Sequence, residues 1–294
     1  MDTPLRPLPQ DSSESRTPPT AARRAVNPDD PLWGIPGAVA VWLLSFALML
    51  AAQMAVLLVY AAQRRVPLTT LGEFATKDPT AIFYEIVAVI PAHLLTLGLA
   101  WLLVTRAGKY PFLQALGWEW DARYTFWRSV ALAVGLLVVG IAIIKLVGSP
   151  ETPLDRLIES SRGAALATAF AATFTAPLVE EIVYRGLLYS ALQRLIGTAW
   201  AVAVVLLLFA AIHVPQYWPS FGVIGTIILL SFALTALRAR TGRLLPCFVV
   251  HLIFNGIQSF FIVFGPYLER FAPEKAVAPG ALLHAALLLA RACW

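Results

Sequence analysis

The sequence predicts an all-α polytopic membrane protein, a bundle of about eight transmembrane helices. Three observations predict it. Of the 294 residues 59% are hydrophobic and only 13% charged, against about 25% charged in a soluble domain. The apolar residues gather into stretches of bilayer-spanning length, and the connections between them are short and hold most of the Lys and Arg.

A helix that crosses the hydrocarbon core needs about 20 mostly apolar residues. Ala38–Ala62, Ala81–Thr105 and Val130–Val147 meet that length without strain. Ala164–Val179 opens a fourth span that runs on into a polar sequence, and Ala199–His213 is a shorter fifth. Phe221–Leu237 stops at the Arg238, Arg240 and Arg243 cluster, and Leu244–Phe264 makes a seventh span. Ala281–Ala290, ten residues before Arg291, is a half-helix, a short span or an interfacial helix. Ahead of the first span, Met1–Asp30 is rich in Pro, Ser, Asp and Arg and buries too little apolar surface to fold alone, so it reads as a disordered cytoplasmic tail. Residues 31–294 then form a single transmembrane domain.

The net charge of +5 is spread through the loops instead of lying on one soluble element, which argues against nucleic acid as a partner and for membrane orientation. Arg23, Arg24, Arg106, Lys109, Arg123, Arg128 and the Arg238–Arg243 cluster fall on one side if the N-terminus is cytoplasmic, as the positive-inside rule favours. Cys247 and Cys293 lie far apart and imply no disulfide framework. The reading is an integral membrane protein whose first partner is the lipid bilayer.

Ionisable residues at depth are costly and mark function, and they are concentrated after residue 150. In TAPLVEEIVYRGLLYSAL, Glu180 and Glu181 point about 100° apart on a helix, whereas Glu181 and Arg185 are i and i+4 on one face. Arg185 is placed to pair with Glu181, which leaves Glu180 for a cavity and a water molecule. His213 ends Phe209-Ala210-Ala211-Ile212-His213. After Thr241-Gly242-Arg243-Leu244-Leu245-Pro246, His251 and Asn255 are again i and i+4, an imidazole and an amide able to donate to a developing oxyanion. Each motif alone also reads as packing: an ion-pair knot, an interfacial His, a polar pair joining two helices. Together they supply what hydrolysis by an activated water requires. Glu85 and His93, eight residues apart with Pro91 between, read as an interfacial carboxylate and a packing imidazole. A GxSxG elbow and an HExxH are both absent from the sequence.

EExxxR, FxxxH and HxxxN, the last introduced by TGxLxP, resemble the CPBP family, the CAAX protease and bacteriocin-processing enzymes also called Abi proteins. The likeness covers roughly Thr152 to Asn255. It implies an eight-span bundle in a bacterial plasma membrane with a cavity open toward the cytoplasm, an intramembrane endopeptidase acting on a membrane-anchored peptide or protein, a prenylated CAAX-type or leader-peptide substrate. Carried over, Glu180 and His213 activate water, His251 and Asn255 stabilise the oxyanion, and Glu181 and Arg185 support them. Two accounts stay open: a metal-free glutamate mechanism, and one divalent metal such as Zn²⁺ on Glu180, His213 and His251. A non-catalytic scaffold or bacteriocin-immunity-type protein is the alternative function.

One geometric condition attaches to this reading. If the fourth span ends at Val179 and the fifth runs outward to His213, Glu180 and His213 stand at opposite membrane faces. They meet only if the fourth helix continues through GLLYSAL to about Leu192 and the fifth is short or tilted.

Overall fold

The computed structural model describes residues 27–269, and all regular secondary structure among them is helical. The eighth apolar segment Ala281–Ala290, Cys293 and the tail up to Val26 lie outside the described residues. We number the helices α1 (Ile35–Gln63), α2 (Leu71–Lys77), α3 (Pro79–Thr105), α4 (Phe112–Ala115), α5 (Phe126–Val147), α6 (Pro153–Glu159), α7 (Arg162–Tyr217), α8 (Phe221–Thr241) and α9 (Leu245–Glu269).

Local chemistry fixes the helix ends. Asp78 caps α3 by accepting from the Thr80 and Ala81 amides, with Pro79 at the first helical position, where its missing N–H costs nothing. Thr152 and Asp155 form a reciprocal capping box on α6, and Ser161 caps α7 through the Ala164 amide. The left-handed Gly242 (φ 67°) closes α8 and turns the chain into α9.

Six helices are long and apolar enough to cross a membrane, and the 56-residue α7 is itself a hairpin. Gly197 breaks it at φ 77° and ψ 164°, which only glycine adopts without strain. The limbs, α7a (residues 162–196) and α7b (residues 198–217), run antiparallel: the Tyr184 and Phe209 rings meet at 5.1 Å, and four residues further from the turn on each limb Glu180 meets His213. Seven limbs of bilayer length result, one for each expected span. The bounds differ chiefly for the fourth, which continues past Val179 to residue 196, as the meeting of Glu180 and His213 requires.

In the bundle α1 packs on α3, α8 on α5 and α7b, and α9 on α5. The α7a limb is the axis: all nine residues of Glu181–Tyr189 are buried, so protein surrounds that stretch. The same stretch, and Ala171–Thr175 before it, are wound as π-helix, a form that gathers at functional sites.

Asn27–Asp30, the last residues of the expected disordered tail, form a tight turn docked on the helices. Asp29 takes a hydrogen bond of 2.7 Å from the buried Arg238 guanidinium, and Trp33 Nε1 donates to the Leu187 carbonyl. This strap marks one end of the bundle, shared with the Gly197 turn and the α8–α9 turn, whereas α2 and α6 lie at the other.

Candidate active site

The Glu180-Glu181 pair splits as helical geometry dictates. Glu181 and Arg185 are wholly buried and paired, Arg185 Nη1 donating to Glu181 Oε1 at 2.9 Å. The rest of the guanidinium donates to the Ser231 hydroxyl and carbonyl and the Thr235 hydroxyl, tying α7a to α8, and lies 4.5 Å from the centre of the Phe209 ring. His251 Nδ1 reaches the same Glu181 oxygen at 2.8 Å. That oxygen already accepts from Arg185, so the imidazole is the donor.

His213 Nδ1 lies 2.7 Å from the Phe209 carbonyl, which can only accept, so this ring also carries its proton on Nδ1. In its neutral form each ring therefore presents Nε2 as a lone pair. The two Nε2 atoms flank one carboxylate: His213 Nε2 is 3.9 Å from Glu180 Oε1 and His251 Nε2 is 3.8 Å from Glu180 Oε2. Phe209 touches the His213 ring at 4.6 Å and the His251 ring at 6.2 Å, which gives the first residue of FxxxH its task of setting both imidazole planes.

Asn255 is placed by a backbone irregularity. Pro177 has no N–H, and just before it the ladder slips to i→i+5, with the Ala176 amide bonded to the Ala171 carbonyl. The Ala172 carbonyl would look to Pro177 in that register, and instead accepts from Asn255 Nδ2 at 2.9 Å. One amide hydrogen of Asn255 remains for the cavity.

Glu180, His213, His251 and Asn255 all line one cavity of about 340 Å³. It lies in the half of the bundle away from the N-terminal strap and extends to Leu154 and Leu157 of α6 and the exposed Gln216. Two expectations thus exclude one another: a cytoplasmic N-terminus and a cavity open to the cytoplasm. His93, read from the sequence as a packing residue, lines the cavity too; one imidazole on an apolar helix gives no signal of what faces it. Glu85 is not among the lining residues and stands apart, half-buried, with Oε1 unpartnered.

A tetrahedral Zn²⁺ with bonds of about 2.0–2.2 Å holds its donors roughly 3.4 Å apart. The 3.8 and 3.9 Å separations here are wider, and among the described residues no group of three His, Cys, Asp or Glu is arranged to hold a metal ion. A water molecule at ordinary hydrogen-bond lengths bridges such separations without any movement.

The apolar bundle thus holds a flanked carboxylate in an internal cavity. Residues 162–257 match the family model of type II CAAX prenyl endopeptidase Rce1-like proteins, a segment running from the first residue of α7 to just beyond Asn255. Over this segment, about a third of the chain, the sequence is similar to CAAX-type membrane endopeptidases. No curated protein and no solved structure matches it.

Proposed function

We propose that the chain hydrolyses a peptide bond of a membrane-associated substrate, of the prenylated CAAX or leader-peptide kind, by a water molecule that Glu180 activates. The observation that carries this reading is the Glu180 carboxylate set between two imidazole Nε2 atoms inside a cavity. A water held there donates to Glu180 and to His213 Nε2. Its oxygen attacks the substrate carbonyl carbon as Glu180 takes a proton, and the carbonyl π electrons move to oxygen. The free Asn255 amide hydrogen meets that oxyanion. His251 joins it once its Nε2 has taken up a proton from the wet cavity before the attack. It is then an imidazolium whose charge Glu181 balances in the way a buried carboxylate steadies a catalytic histidine, and it keeps that proton when the oxyanion collapses. Collapse breaks the C–N bond, and Glu180 returns its proton to the leaving amine.

Glu181 and Arg185 act through their neighbours, positioning His251 and α7a. A metal on Glu180, His213 and His251 would require the three side chains to draw together by about half an ångström, so no step here passes through one.

Glu180→Gln in the full chain tests the proposal, with a farnesylated peptide ending in a CAAX box as substrate. Cleavage falls by at least about a hundredfold, the lower range for loss of a general base, while the melting temperature in detergent is unchanged. Retained cleavage refutes the mechanism. A large loss of melting temperature instead assigns Glu180 to the fold and favours a scaffold.

A further inference from the structure

The cavity contains a third imidazole that none of the three motifs includes. His93, on α3, lines it with Glu180 and lies within electrostatic reach of that carboxylate. Its Nδ1 is 2.9 Å from the Thr175 hydroxyl oxygen, and that hydroxyl is 3.1 Å from the Ala171 carbonyl of its own helix. A hydroxyl has one hydrogen. The Ala171 carbonyl can only accept, so the Thr175 hydrogen goes there, and the Thr175 oxygen accepts from His93 Nδ1–H. His93 Nε2 is then left as a lone pair, with the ring held by its other nitrogen.

The inventory of the cavity gives that lone pair a use. Of the lining groups grouped about Glu180, the carboxylate, His213 Nε2 and His93 Nε2 accept, whereas the Asn255 amide, and His251 once protonated, donate to the oxyanion; Gln53 and Gln216 also line the cavity. A peptide brings an N–H at every residue except proline, and an acceptor-rich wall is what those groups require. Position then selects which N–H. Thr175, where His93 is fixed, precedes Glu180 by five residues of helix, about 7 Å at 1.5 Å per residue, on the side of the cavity mouth. An extended chain advances about 3.3 Å per residue.

We propose that His93 Nε2 accepts the backbone N–H of a substrate residue about two positions from the scissile bond, on the side facing the cavity mouth. It is a substrate-binding residue, and Thr175 positions it. The inference rests on the peptidase reading and adds a register to it.

The test is a cycle between enzyme and substrate. His93→Phe and His93→Gln are compared with wild type on a farnesylated CAAX-box peptide and on versions in which one backbone amide at a time is replaced by an ester, which removes its N–H. A hydrogen bond made equally in ground and transition states appears in KM. His93→Phe therefore raises KM about three- to tenfold, the range for one neutral hydrogen bond, with kcat within twofold. His93→Gln, whose side-chain oxygen lies near the place of Nε2, recovers most of the loss. The ester about two residues from the cleaved bond costs wild type the same factor and costs His93→Phe nothing further. Additive losses at every ester position overturn the assignment, as does a fall in kcat with KM unchanged in both variants. A farnesylated CAAX-box peptide and a membrane-anchored leader peptide both left uncut by wild type overturn the peptidase reading itself, and so the two failures are distinguishable.

Discussion

Exchanging either neighbour of the Glu180-Glu181 pair for glutamine changes the same atoms, yet the structure assigns the two exchanges different costs. Glu181 is completely buried and answers both Arg185 and His251. Glu181→Gln keeps an amide oxygen that can accept one of those hydrogen bonds but removes the charge, leaving Arg185 a buried cation held by hydroxyls, a carbonyl and the Phe209 ring. Removing one partner of a buried pair costs about 3–5 kcal/mol, and the retained hydrogen bond places this exchange at the lower end, about 3 kcal/mol. At about 2–4 °C per kcal/mol for a chain of this size, the melting temperature falls by roughly 6–12 °C. Glu180 is one-fifth exposed and its nearest imidazole nitrogens stand at 3.8 and 3.9 Å. Neutralising it relieves a partly desolvated charge, and Glu180→Gln melts within about 2 °C of wild type. The buried Cys247 serves as an internal reporter: with Cys293→Ser, a thiol-reactive dye reads its exposure during heating in detergent. Adding Arg185→Met to Glu181→Met restores about half the stability lost by Glu181→Met alone, because the stranded cation is gone while His251 Nδ1 still lacks an acceptor. Equal shifts for Glu180→Gln and Glu181→Gln would show the division of the pair to be false.

Three further outcomes are expected. Burial raises the Asp155 carboxyl on α6 above its usual value of 3.8, with its hydrogen bonds from Thr152 pulling the other way. Its contribution to stability is therefore complete below the unfolded value and is lost as pH rises through the folded one; melting of Asp155→Asn and wild type from pH 4 to 7 shows the variant gaining on wild type as pH rises, and a variant that falls further behind is the contrary result. Chelation by 1,10-phenanthroline leaves cleavage within twofold, since the donors stand too far apart for zinc, and inactivation that added Zn²⁺ reverses would show that they close on a metal. With a cytoplasmic N-terminus, Gln216→Cys is labelled by an impermeant maleimide on intact cells and Arg240→Cys only after lysis. The reverse pattern turns the bundle over and opens its cavity to the cytoplasm.

Much of this architecture is legible in hydropathy and helical spacing, and the particular failures have physical causes. The seven apolar segments each correspond to a limb of the bundle, and the i and i+4 spacing of Glu181 and Arg185 gives their pairing directly. Val179 reads as a span end because hydropathy falls at Glu180, Glu181 and Arg185. A hydropathy profile does not distinguish a charge at the headgroups from one enclosed by protein, and nine consecutive buried residues show the second case. The shared face of His251 and Asn255 is equally legible, but their partners are not. His251 is set by a carboxylate 70 residues earlier, and Asn255 by a carbonyl that Pro177 leaves unclaimed. His93 gives no sequence signal, because its part depends on a hydroxyl 82 residues away.

The fates of the two neighbouring carboxylates are linked by charge. In a low-dielectric bundle an ion survives if it is paired or wet. Arg185 is spent on Glu181, so that pair is neutral as a unit and, among the described residues, no Lys or Arg pairs with Glu180. Two imidazoles with their protons on Nδ1 offer Glu180 no N–H either. Its charge is tolerable only if water occupies the cavity beside it, and the same want of a partner that makes water necessary leaves both carboxylate oxygens open to accept from it. Moving the arginine to face Glu180 would reverse both conditions at once: it would dry the site and quench its base. The EExxxR spacing, which gives Arg185 to the second glutamate, is what leaves the first one without a cation beside it.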